Sequence, residues 1–554
     1  MASPTRTATR LPSRRCLLPA GRQFDLGLIV LALMAFSLRI YRLDVQSLWR
    51  DEVDAVIFAS RQISAILDTF TSVGENGPLF FLGLHAWIGL VGTSEFAIRF
   101  PSAVFGTLAV LVTYRLGAEV IGREAGLIGA ILLAVSPYHI WYSQEAKMYA
   151  LISLMAPLGL LIMVQALRGD RRRLWPVWAV LMTGFLYIHL FATLMALVAL
   201  AWLPVLLPRH PRLTAGLVAA LAAMALAAMP IVRWLLPAAL TPAETGYYPY
   251  SLSQMVGILL VNFSMGLRPS AGLWPVALFA LLLVAGCLPL VVHRCSLGWP
   301  PAYGVLLLLL YLAGPLLAVW LVSLRRPTFT DRYLIISLPA FYLMMAVGIV
   351  ALRHLLQDAW SARLPAASMV SKQPPAKKRA DTRPGQWWTA AATRPSTGMF
   401  SGAVALRHAA RRGRLLEIAL VLLVVVAGLP FIWQQTHTPI KADFRAATVY
   451  IVEHAGPDDV LMFVMPYVQR GFAYYHPQPV RTVEPPYTRD MSAADVDKAM
   501  RELMAGTHRV WLFLSEADFW DPQGMIVAWF ERHAVRRCEQ GFAYIEVRCY
   551  DMTP

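Results

Sequence analysis

The sequence predicts a polytopic α-helical membrane protein with about 11 transmembrane helices and a small C-terminal soluble α/β domain. Hydrophobic residues make up 57% of the 554 residues and charged residues only 15%, whereas an ordinary soluble chain carries about 25% charged residues. The apolar residues also occur in blocks of roughly 20, the length that crosses a hydrocarbon core of about 30 Å. A soluble chain could not bury so much apolar surface, so soluble classes are excluded.

The formal charge of +16 is explained by membrane orientation, because Lys and Arg collect in cytoplasmic loops. Residues 1–23 are Arg-rich and contain no acid, and they run directly into an apolar block of spanning length. This pattern is typical of a signal anchor and predicts a cytoplasmic N-terminus. The positive charge therefore belongs to the cytoplasmic face, and no nucleic-acid partner is expected.

The segment 78–91 decides the topology of the rest of the chain. It is apolar but short for a crossing, and counting it as a span would place every basic loop outside. We therefore interpret it as a juxtamembrane or re-entrant helix. The eleven predicted spans are then about 24–43, 97–117, 124–141, 150–167, 174–190, 191–207, 213–237, 272–292, 303–322, 333–352 and 415–433.

Four regions follow from this topology. Residues 1–352 form the membrane domain, whose first outer loop, 44–96, is acidic at its start and predicts interfacial amphipathic helices. Residues 353–414 carry twelve Lys or Arg against two Asp, which predicts a basic, flexible cytoplasmic loop. Residues 415–433 form the last span, and residues 434–554 lie outside.

The last region predicts a small α/β domain. A helix is expected over 444–454 and strands over 459–464, 508–514 and 542–548. Cys538 and Cys549 share this hydrophilic region, so they could form one disulfide if it faces an oxidising compartment.

The informative charges lie on the outer side, next to spans, where insertion rules do not favour them. In the first outer loop, Asp51 and Glu52 are adjacent at the start of a predicted helix, and Glu75 closes the loop. Acids stabilise a helix N-terminus by roughly 0.3–1 kcal/mol, and that structural explanation stays open. A functional carboxylate at this place would act as a general base on an acceptor hydroxyl.

A second outer loop, 138–149, contains Glu145 and Lys147 beside a span. Trp141 and Tyr142 suit interfacial anchors better than ligand-binding residues. His139 has a weaker claim to a functional role, since it could simply hydrogen-bond to a neighbour.

The third outer loop carries Arg325, Arg326 and Arg332 on the side that the positive-inside rule disfavours. An ion pair between Asp331 and Arg332 would be a structural explanation. A phosphate site explains the cluster better, because arginine binds phosphate in bidentate fashion.

Several strings resemble the bacterial branch of the protein O-mannosyltransferase-like family of C-type membrane glycosyltransferases, which also includes the aminoarabinose transferases. The resemblance covers about residues 25–350 and is weak over the tail. The most specific string is Tyr142-Ser-Gln-Glu145-Ala-Lys147-Met-Tyr149. The other strings are Ser47-Leu-Trp-Arg-Asp-Glu52, Asn76-Gly-Pro-Leu-Phe-Phe-Leu-Gly-Leu-His-Ala-Trp87, Ser94-Glu-Phe-Ala-Ile-Arg-Phe-Pro-Ser102, Ser136-Pro-Tyr-His-Ile-Trp141 and Asp331-Arg-Tyr-Leu334.

The resemblance implies an inverting transfer of a sugar from a polyprenyl-phosphate-sugar donor. Asp51 matches the acid expected to be the catalytic base, with Glu52 as its partner in the motif. Arg332, with Arg325, Arg326 and Lys147, would neutralise the departing lipid phosphate.

The acids Glu75 and Glu145 are candidates for holding the acceptor or a metal. The chain has Asn76-Gly77-Pro78 where many relatives have His-Pro-Pro, which removes a metal ligand. A divalent metal therefore stays an open question, and no other cofactor is expected.

The expected partners are a polyprenyl-phosphate-linked sugar, an acceptor protein, lipid or glycan, and membrane lipids. The expected location is the bacterial inner (plasma) membrane, crossed several times. Two alternatives are a transporter or flippase of a lipid-linked substrate, and a polysaccharide polymerase or ligase. No internal repeat of the transporter kind is visible, and the candidate charges lie in outer loops rather than within spans. A polymerase or ligase would not need the pair Asp51 and Glu52.

Overall fold

A computed structural model describes residues 26–68, 77–169, 171–206, 211–233, 247–267, 272–291, 301–362 and 397–552. Up to residue 437 the described chain is almost entirely helical. Its α-helices are Leu26–Ile40, Arg50–Ala59, Ile63–Asp68, Pro78–Val91, Glu95–Val120, Arg123–Ala134, Pro137–Ser143, Tyr149–Gly169, Leu174–Ile188, Ala192–Ala201, Leu203–Leu206, Pro211–Ala227, Leu252–Met265, Trp274–Ala285, Leu288–Val291, Pro301–Ser323, Leu338–Ala362 and Thr397–His437, and a 3-10 helix covers Asp331–Ser337.

Several of these helices could cross a membrane. Within the described ranges, six helices are long and apolar enough to span, or seven spans if one bent helix pair is counted. The predicted spans 24–43, 174–190, 191–207 and 213–237 fall on shorter apolar helices of 10–17 residues. The chain is therefore a multi-pass helical protein, while the count of eleven stays a prediction.

The bent helix pair leads into the second outer loop. Arg123–Ala134 and Pro137–Ser143 meet at an angle of 63°. Pro137 occupies the first turn of the second helix, and the Ser136 hydroxyl caps it by accepting a hydrogen bond from the His139 amide. Half of the predicted loop 138–149 is thus a buried helical turn.

The first outer loop contains two short helices, Arg50–Ala59 and Ile63–Asp68, where the sequence predicted amphipathic helices. Pro78–Val91 is a helix of 14 residues, shorter than the ~20 residues that a crossing requires. Gly77 precedes it with φ +84°, and an added Cβ there would lie 2.8 Å from the Ile188 carbonyl oxygen. The loop can therefore turn back toward the membrane at this glycine.

The helix Glu95–Val120 separates two charged ends of the molecule. Its 26 residues span about 39 Å. Near its start, Arg99 binds Glu52 of the first outer loop, and near its end, Glu119 accepts a hydrogen bond of 3.1 Å from Arg168. The outer-loop charges and the basic loop around Arg168 therefore lie at opposite ends of the bundle.

The structure changes the bounds expected for the loop 353–414, at the same basic end of the bundle. Helices cover both ends of that segment, up to Ala362 and again from Thr397, and its centre lies outside the described residues. Arg353 pairs with Glu124 at 2.5 Å and also with Glu417. These ion pairs join the helix Leu338–Ala362 to the helices Arg123–Ala134 and Thr397–His437. The flexibility expected for the centre of 353–414 stays a prediction.

The region after residue 437 folds into a mixed five-stranded sheet with helices on it. The helix predicted over 444–454 is present as Phe444–His454. The strands are β1 (Val460–Phe463), β2 (Thr482–Val483), β3 (Arg509–Leu514), β4 (Ala534–Phe542) and β5 (Ile545–Met552), in the order β2-β1-β3-β5-β4, and the further helices are Gln469–Tyr475, Ala493–Met504 and Met525–His533. The three predicted strands correspond to β1, β3 and β5, while β2 and β4 were not predicted.

Strand pairing follows the chain connections. β1 is parallel to β2 and β3, whereas β5 is antiparallel to β3 and β4. Apolar side chains from both faces of β1 and β3 form one core on each side of the sheet, as expected for strands buried on both faces. Cys538 and Cys549 are disulfide-bonded between β4 and β5.

Candidate active site at the outer face

The helix Arg50–Ala59 presents two adjacent carboxylates in its first turn. Successive residues of an α-helix are rotated by about 100°, so Asp51 and Glu52 face different surroundings. Asp51 is 14% exposed as a side chain, whereas Glu52 is fully buried. The two acids of this motif therefore have different environments.

Glu52 is saturated by hydrogen bonds from three different parts of the chain. Arg99 donates from Nε and Nη2 at 2.7 Å each, Lys441 donates from Nζ at 3.0 Å, and the Ala146 amide donates at 2.9 Å. Burial raises the pKa of Glu52, but the charges of Arg99 and Lys441 outweigh it and hold the pKa at about 2. A carboxylate held in this way positions the loop and has no lone pair left for a substrate proton.

Arg99 completes this buried network. Its Nη1 donates to the carbonyl oxygens of Leu43 and Gln46 at 2.9 and 2.7 Å, and its Nη2 donates to that of Ser47 at 3.1 Å. Neither Arg99 nor Lys441 was a candidate at the level of sequence. Arg99 offered one signal, a charge beside a span on the outer side, but nothing in the sequence pattern distinguishes Lys441.

Asp51 instead pairs with a residue of the third outer loop. Arg332 Nη1 is 2.6 Å from Asp51 Oδ2, and Arg50 Nε is 3.6 Å from Asp51 Oδ1. The guanidinium of Arg332 lies 5.8 Å from the ring centres of both Tyr149 and Tyr333, where cation–π attraction helps to hold it. The structure thus brings together Asp51 and Arg332, two residues selected from sequence for complementary tasks.

The neighbouring residue Asp331 does not pair with Arg332 through any of its hydrogen bonds. Its Oδ2 accepts from Tyr138 at 2.9 Å and from Asn262 at 2.8 Å. These two bonds anchor the start of the 3-10 helix that carries Arg332. The structural explanation considered for this loop, a pair between Asp331 and Arg332, is therefore replaced by the pair with Asp51.

Glu145 lies on the short connection after Ser143 and is 1% exposed. Its Oε1 is 3.9 Å from Lys441 Nζ, and its buried Oε2 has no hydrogen-bond partner among the residues that the structure describes. Burial raises the pKa of Glu145 to about 7, against the opposing effect of Lys441. This carboxyl can therefore change its charge near neutral pH.

Lys147 is half-buried on the same connection. Burial lowers the pKa of Lys147, while the nearby negative charges of Asp51 and Asp54 oppose that change. Its ammonium makes no hydrogen bond to any side chain in the described ranges, so it is available to an anion close to Asp51.

His139 and Trp141 are buried beside cationic side chains. His139 Nδ1 is 2.7 Å from Arg39 Nη2 and its Nε2 is 2.8 Å from the Ser153 hydroxyl. The Lys441 ammonium lies 4.9 Å from the ring centre of Trp141, which is buried. Trp141 is therefore a support for Lys441 and not an exposed membrane anchor.

The remaining candidates are Arg325, Arg326 and Glu75. Arg325 is exposed and Arg326 is half-buried, and the ion pairs of Asp51 are with Arg50 and Arg332. Glu75 lies outside the described residues. Lys147 and Arg332 are thus the two predicted phosphate-binding residues that the structure brings near Asp51.

A cavity of about 520 Å³ opens beside this cluster, between the membrane domain and the C-terminal domain. Its lining combines aromatic rings with two acids and two cations. The lining residues are Trp49, Trp141, Tyr142, Glu145, Leu267, Arg332, Ile440, Lys441, Ala442, Ser515, Glu516 and Tyr544. Such a mixture of apolar walls and few polar groups is typical of small-molecule sites.

Asp51 and Glu52 contact cationic side chains and do not fit a divalent cation. Glu52 is saturated by Arg99 and Lys441, and Asp51 contacts Arg50 and Arg332. Among the described residues, no cluster of three or more His, Cys, Asp or Glu side chains has the arrangement of a metal site. We therefore derive no step through a metal from these residues.

Comparisons with known proteins agree with this architecture. The structure of ArnT from Cupriavidus metallidurans bound to undecaprenyl phosphate superposes with a TM-score of 0.52 and 13% identity, covering 95% of this chain and 97% of that one. ArnT in the apo state superposes with a TM-score of 0.51 and 15% identity over the same shares. An oligosaccharyltransferase from Archaeoglobus fulgidus, in complex with Zn and sulfate, gives a TM-score of 0.49 and 12% identity over 88% of this chain and 67% of that one.

The chain thus shares the fold of ArnT. Residues 75–236 match the family model of dolichyl-phosphate-mannose-protein mannosyltransferases, which confirms the resemblance read from the sequence motifs. No curated protein matches the chain by sequence.

Proposed function

We propose that this chain transfers a sugar from a polyprenyl-phosphate-sugar donor to an acceptor hydroxyl at the non-cytoplasmic face, with inversion and with Asp51 as the general base. The observation that carries the proposal is the ion pair between Asp51 and Arg332, at 2.6 Å beside a cavity. It places a proton acceptor and an anion-binding group within one side-chain contact of each other. The fold shared with ArnT, which was solved with undecaprenyl phosphate bound, supports the class of donor.

The proposed reaction uses Asp51, Arg332 and Lys147. The acceptor hydroxyl gives its proton to Asp51 as its oxygen bonds to the anomeric carbon of the donor sugar. The bond from that carbon to the phosphate oxygen breaks, and its electron pair leaves with the lipid phosphate. Arg332 and Lys147 stabilise the charge that develops on the phosphate. Attack opposite the leaving group inverts the anomeric carbon.

In the absence of donor, Asp51 occupies the anion position of Arg332. A donor phosphate would compete for that guanidinium, because arginine binds phosphate in the same bidentate manner as carboxylate. Binding of the donor would then release Asp51 toward the acceptor. The pair therefore keeps the base neutralised until a donor arrives.

The outer location rests on charge. The site lies at the opposite end of Glu95–Val120 from Arg168 and its basic loop, and basic loops face the cytoplasm. We accordingly place the site and the C-terminal domain outside, in the inner (plasma) membrane of a bacterium.

The test is sugar transfer from a labelled polyprenyl-phosphate sugar by the full-length protein in lipid nanodiscs. Asp51→Asn should reduce transfer by about 10²–10⁴-fold, the usual contribution of a general base. Asp44→Asn is the matched control, because Asp44 is an exposed acid of the same loop. Unchanged transfer by Asp51→Asn would exclude Asp51 as the base, and absence of transfer by the wild type with every donor would favour a transporter.

A further inference from the structure

The C-terminal domain supplies part of the cavity wall. Ser515 and Glu516 follow strand β3, and Tyr544 lies in the turn between β4 and β5; all three line the cavity that Arg332 lines from the membrane side. The segment that joins the two domains adds Ile440, Lys441 and Ala442. The cavity is therefore incomplete without the domain.

The backbone is unfavourable at two of these wall residues. Glu516 has φ +53° and Tyr544 has φ +56°, and Arg42 is the other non-glycine residue with positive φ in the described ranges. Side-chain-bearing residues avoid this conformation, and such outliers concentrate at ligand sites where surrounding structure enforces them. Two separate loops thus have an unfavourable backbone conformation at residues that line the same cavity.

Glu516 is also connected to the base. Arg50 donates a hydrogen bond to Glu516 Oε2, and Arg50 Nε is 3.6 Å from Asp51 Oδ1. The other carboxylate oxygen of Glu516 makes no hydrogen bond to a residue in the described ranges. Glu516 is therefore linked to Arg332 through Arg50 and Asp51, and one of its carboxylate oxygens can still accept a hydrogen bond.

Covalent geometry limits what can lie in this cavity. In a lipid-linked donor the sugar is bonded directly to the phosphate, so a phosphate at Arg332 places the sugar within a few ångströms of it. The cavity of about 520 Å³ can contain such a ring. Two further polar atoms of its lining residues, Glu145 Oε2 and Trp49 Nε1, are buried and have no hydrogen-bond partner in the described part of the chain. Buried polar atoms of this kind call for a hydrogen-bonding ligand.

We propose that the C-terminal domain recognises the glycosyl group of the donor, with Glu516 accepting hydrogen bonds from sugar hydroxyls and the ring of Tyr544 covering an apolar face of the sugar. This rests on the proposed function, and it assigns the domain a role in selecting the donor sugar. Glu516 and Tyr544 are specificity residues in this proposal, while Arg332 and Lys147 bind the phosphate common to all donors.

The test compares two ligands by native mass spectrometry of the full-length protein in nanodiscs. One is undecaprenyl phosphate, and the other is the same lipid phosphate bearing mannose or glucose. Glu516→Gln should leave the Kd for undecaprenyl phosphate unchanged and weaken binding of the preferred sugar-bearing lipid by about tenfold, as expected for lost hydrogen bonds to a charged group. Asp518→Asn is the matched control, because Asp518 is an exposed acid on the same loop.

A second variant separates recognition from folding. Glu516→Gly suits the positive φ better, so it should unfold at a higher temperature than Glu516→Gln and still lose the preference for the sugar-bearing lipid. The proposal would be overturned if the variants bound both ligands equally more weakly, or if binding of neither ligand changed. It would also be overturned if the wild type did not prefer any sugar-bearing lipid. None of these results depends on Asp51, so failure here is distinct from failure of the proposed reaction.

Discussion

Arg332 and Asp51 lie 281 positions apart in the sequence, and the arginine Nη1 donates a hydrogen bond of 2.6 Å to Asp51 Oδ2. The pair joins the third outer loop to the first and closes the site from both sides. A carboxylate and a substrate phosphate are alternative anions for one guanidinium. In the proposed reaction, the affinity for the donor therefore depends on how strongly Asp51 competes with it.

This competition gives a prediction for Asp51→Asn besides the loss of transfer. The neutral amide competes less with phosphate for Arg332, so undecaprenyl phosphate should bind severalfold more tightly than to the wild type. Isothermal titration of both proteins in nanodiscs would measure the difference. Weaker binding by Asp51→Asn would mean that Asp51 supports the phosphate site instead of competing for it.

Substitution of Arg332 should have the opposite effect on the lipid. Arg332→Gln removes the charge that faces the phosphate, and we expect a loss of affinity for undecaprenyl phosphate of at least tenfold. Arg332→Lys keeps the positive charge but lacks the planar guanidinium. Its affinity for the lipid should therefore lie between those of the wild type and Arg332→Gln. Arg325→Gln is the control, since Arg325 is exposed and outside the Asp51 contacts; an equal loss in that variant would move the phosphate site toward the exposed loop.

The buried network at Glu52 should affect stability before catalysis. Lys441→Met leaves Glu52 with one cationic partner, and removal of one member of a buried ion pair costs about 3–5 kcal/mol. The melting temperature of the purified protein should therefore fall. Arg445→Met is the comparison, because its pair with Glu95 is more exposed and should contribute less.

The low pKa of Glu52 sets a pH window for the same network. The pKa is about 2 in the folded protein against an ordinary value of 4.5, so Glu52 stabilises the folded state above pH 4.5. That contribution should be lost as the pH falls from about 4.5 to about 2. Melting curves across this range would show a smaller dependence on pH in Glu52→Gln than in the wild type.

Glu145 predicts a second pH dependence, near neutrality. Its carboxyl has a pKa of about 7, so it is mostly neutral below that pH and negative above it. A negative charge near Arg332 opposes an anionic ligand, and we expect a polyprenyl-phosphate sugar to bind more tightly below pH 7 than above it. Glu145→Gln should remove this change, which a series of Kd measurements between pH 6 and pH 8 would detect. An unaltered pH profile in the variant would assign the titration to another group.

Much of the site could be predicted from charges alone. Asp51, Glu145, Lys147 and Arg332 were selected because they lie beside spans on the outer side, where insertion rules disfavour charge, and the structure places them near one another. Arg325 was selected by the same rule but is exposed. The charge rule selects a loop. The direction of each side chain in that loop depends on the helix that follows the loop.

The different surroundings of Asp51 and Glu52 could not be predicted from the residues themselves. The two residues are adjacent and chemically alike, and the difference arises because Arg99, Lys441 and the Ala146 amide converge on Glu52 from distant parts of the chain. Lys441 lies beyond the last span, in a segment with no motif. No local sequence pattern indicates that Lys441 contacts the first outer loop.

By itself, the sequence determined the membrane class, the basic and acidic sides, the helix Phe444–His454 and three of the five strands, because hydropathy, charge and periodicity are local properties of a chain. Tertiary structure alone decided that Asp51 pairs with Arg332, that Glu52 is buried among cations, and that Glu516 of the C-terminal domain completes the cavity. Each of these depends on segments hundreds of residues apart that meet only when the helices pack and the domain docks. The physical reason is that a contact between distant segments is set by the packing of whole elements, which no short stretch of sequence specifies.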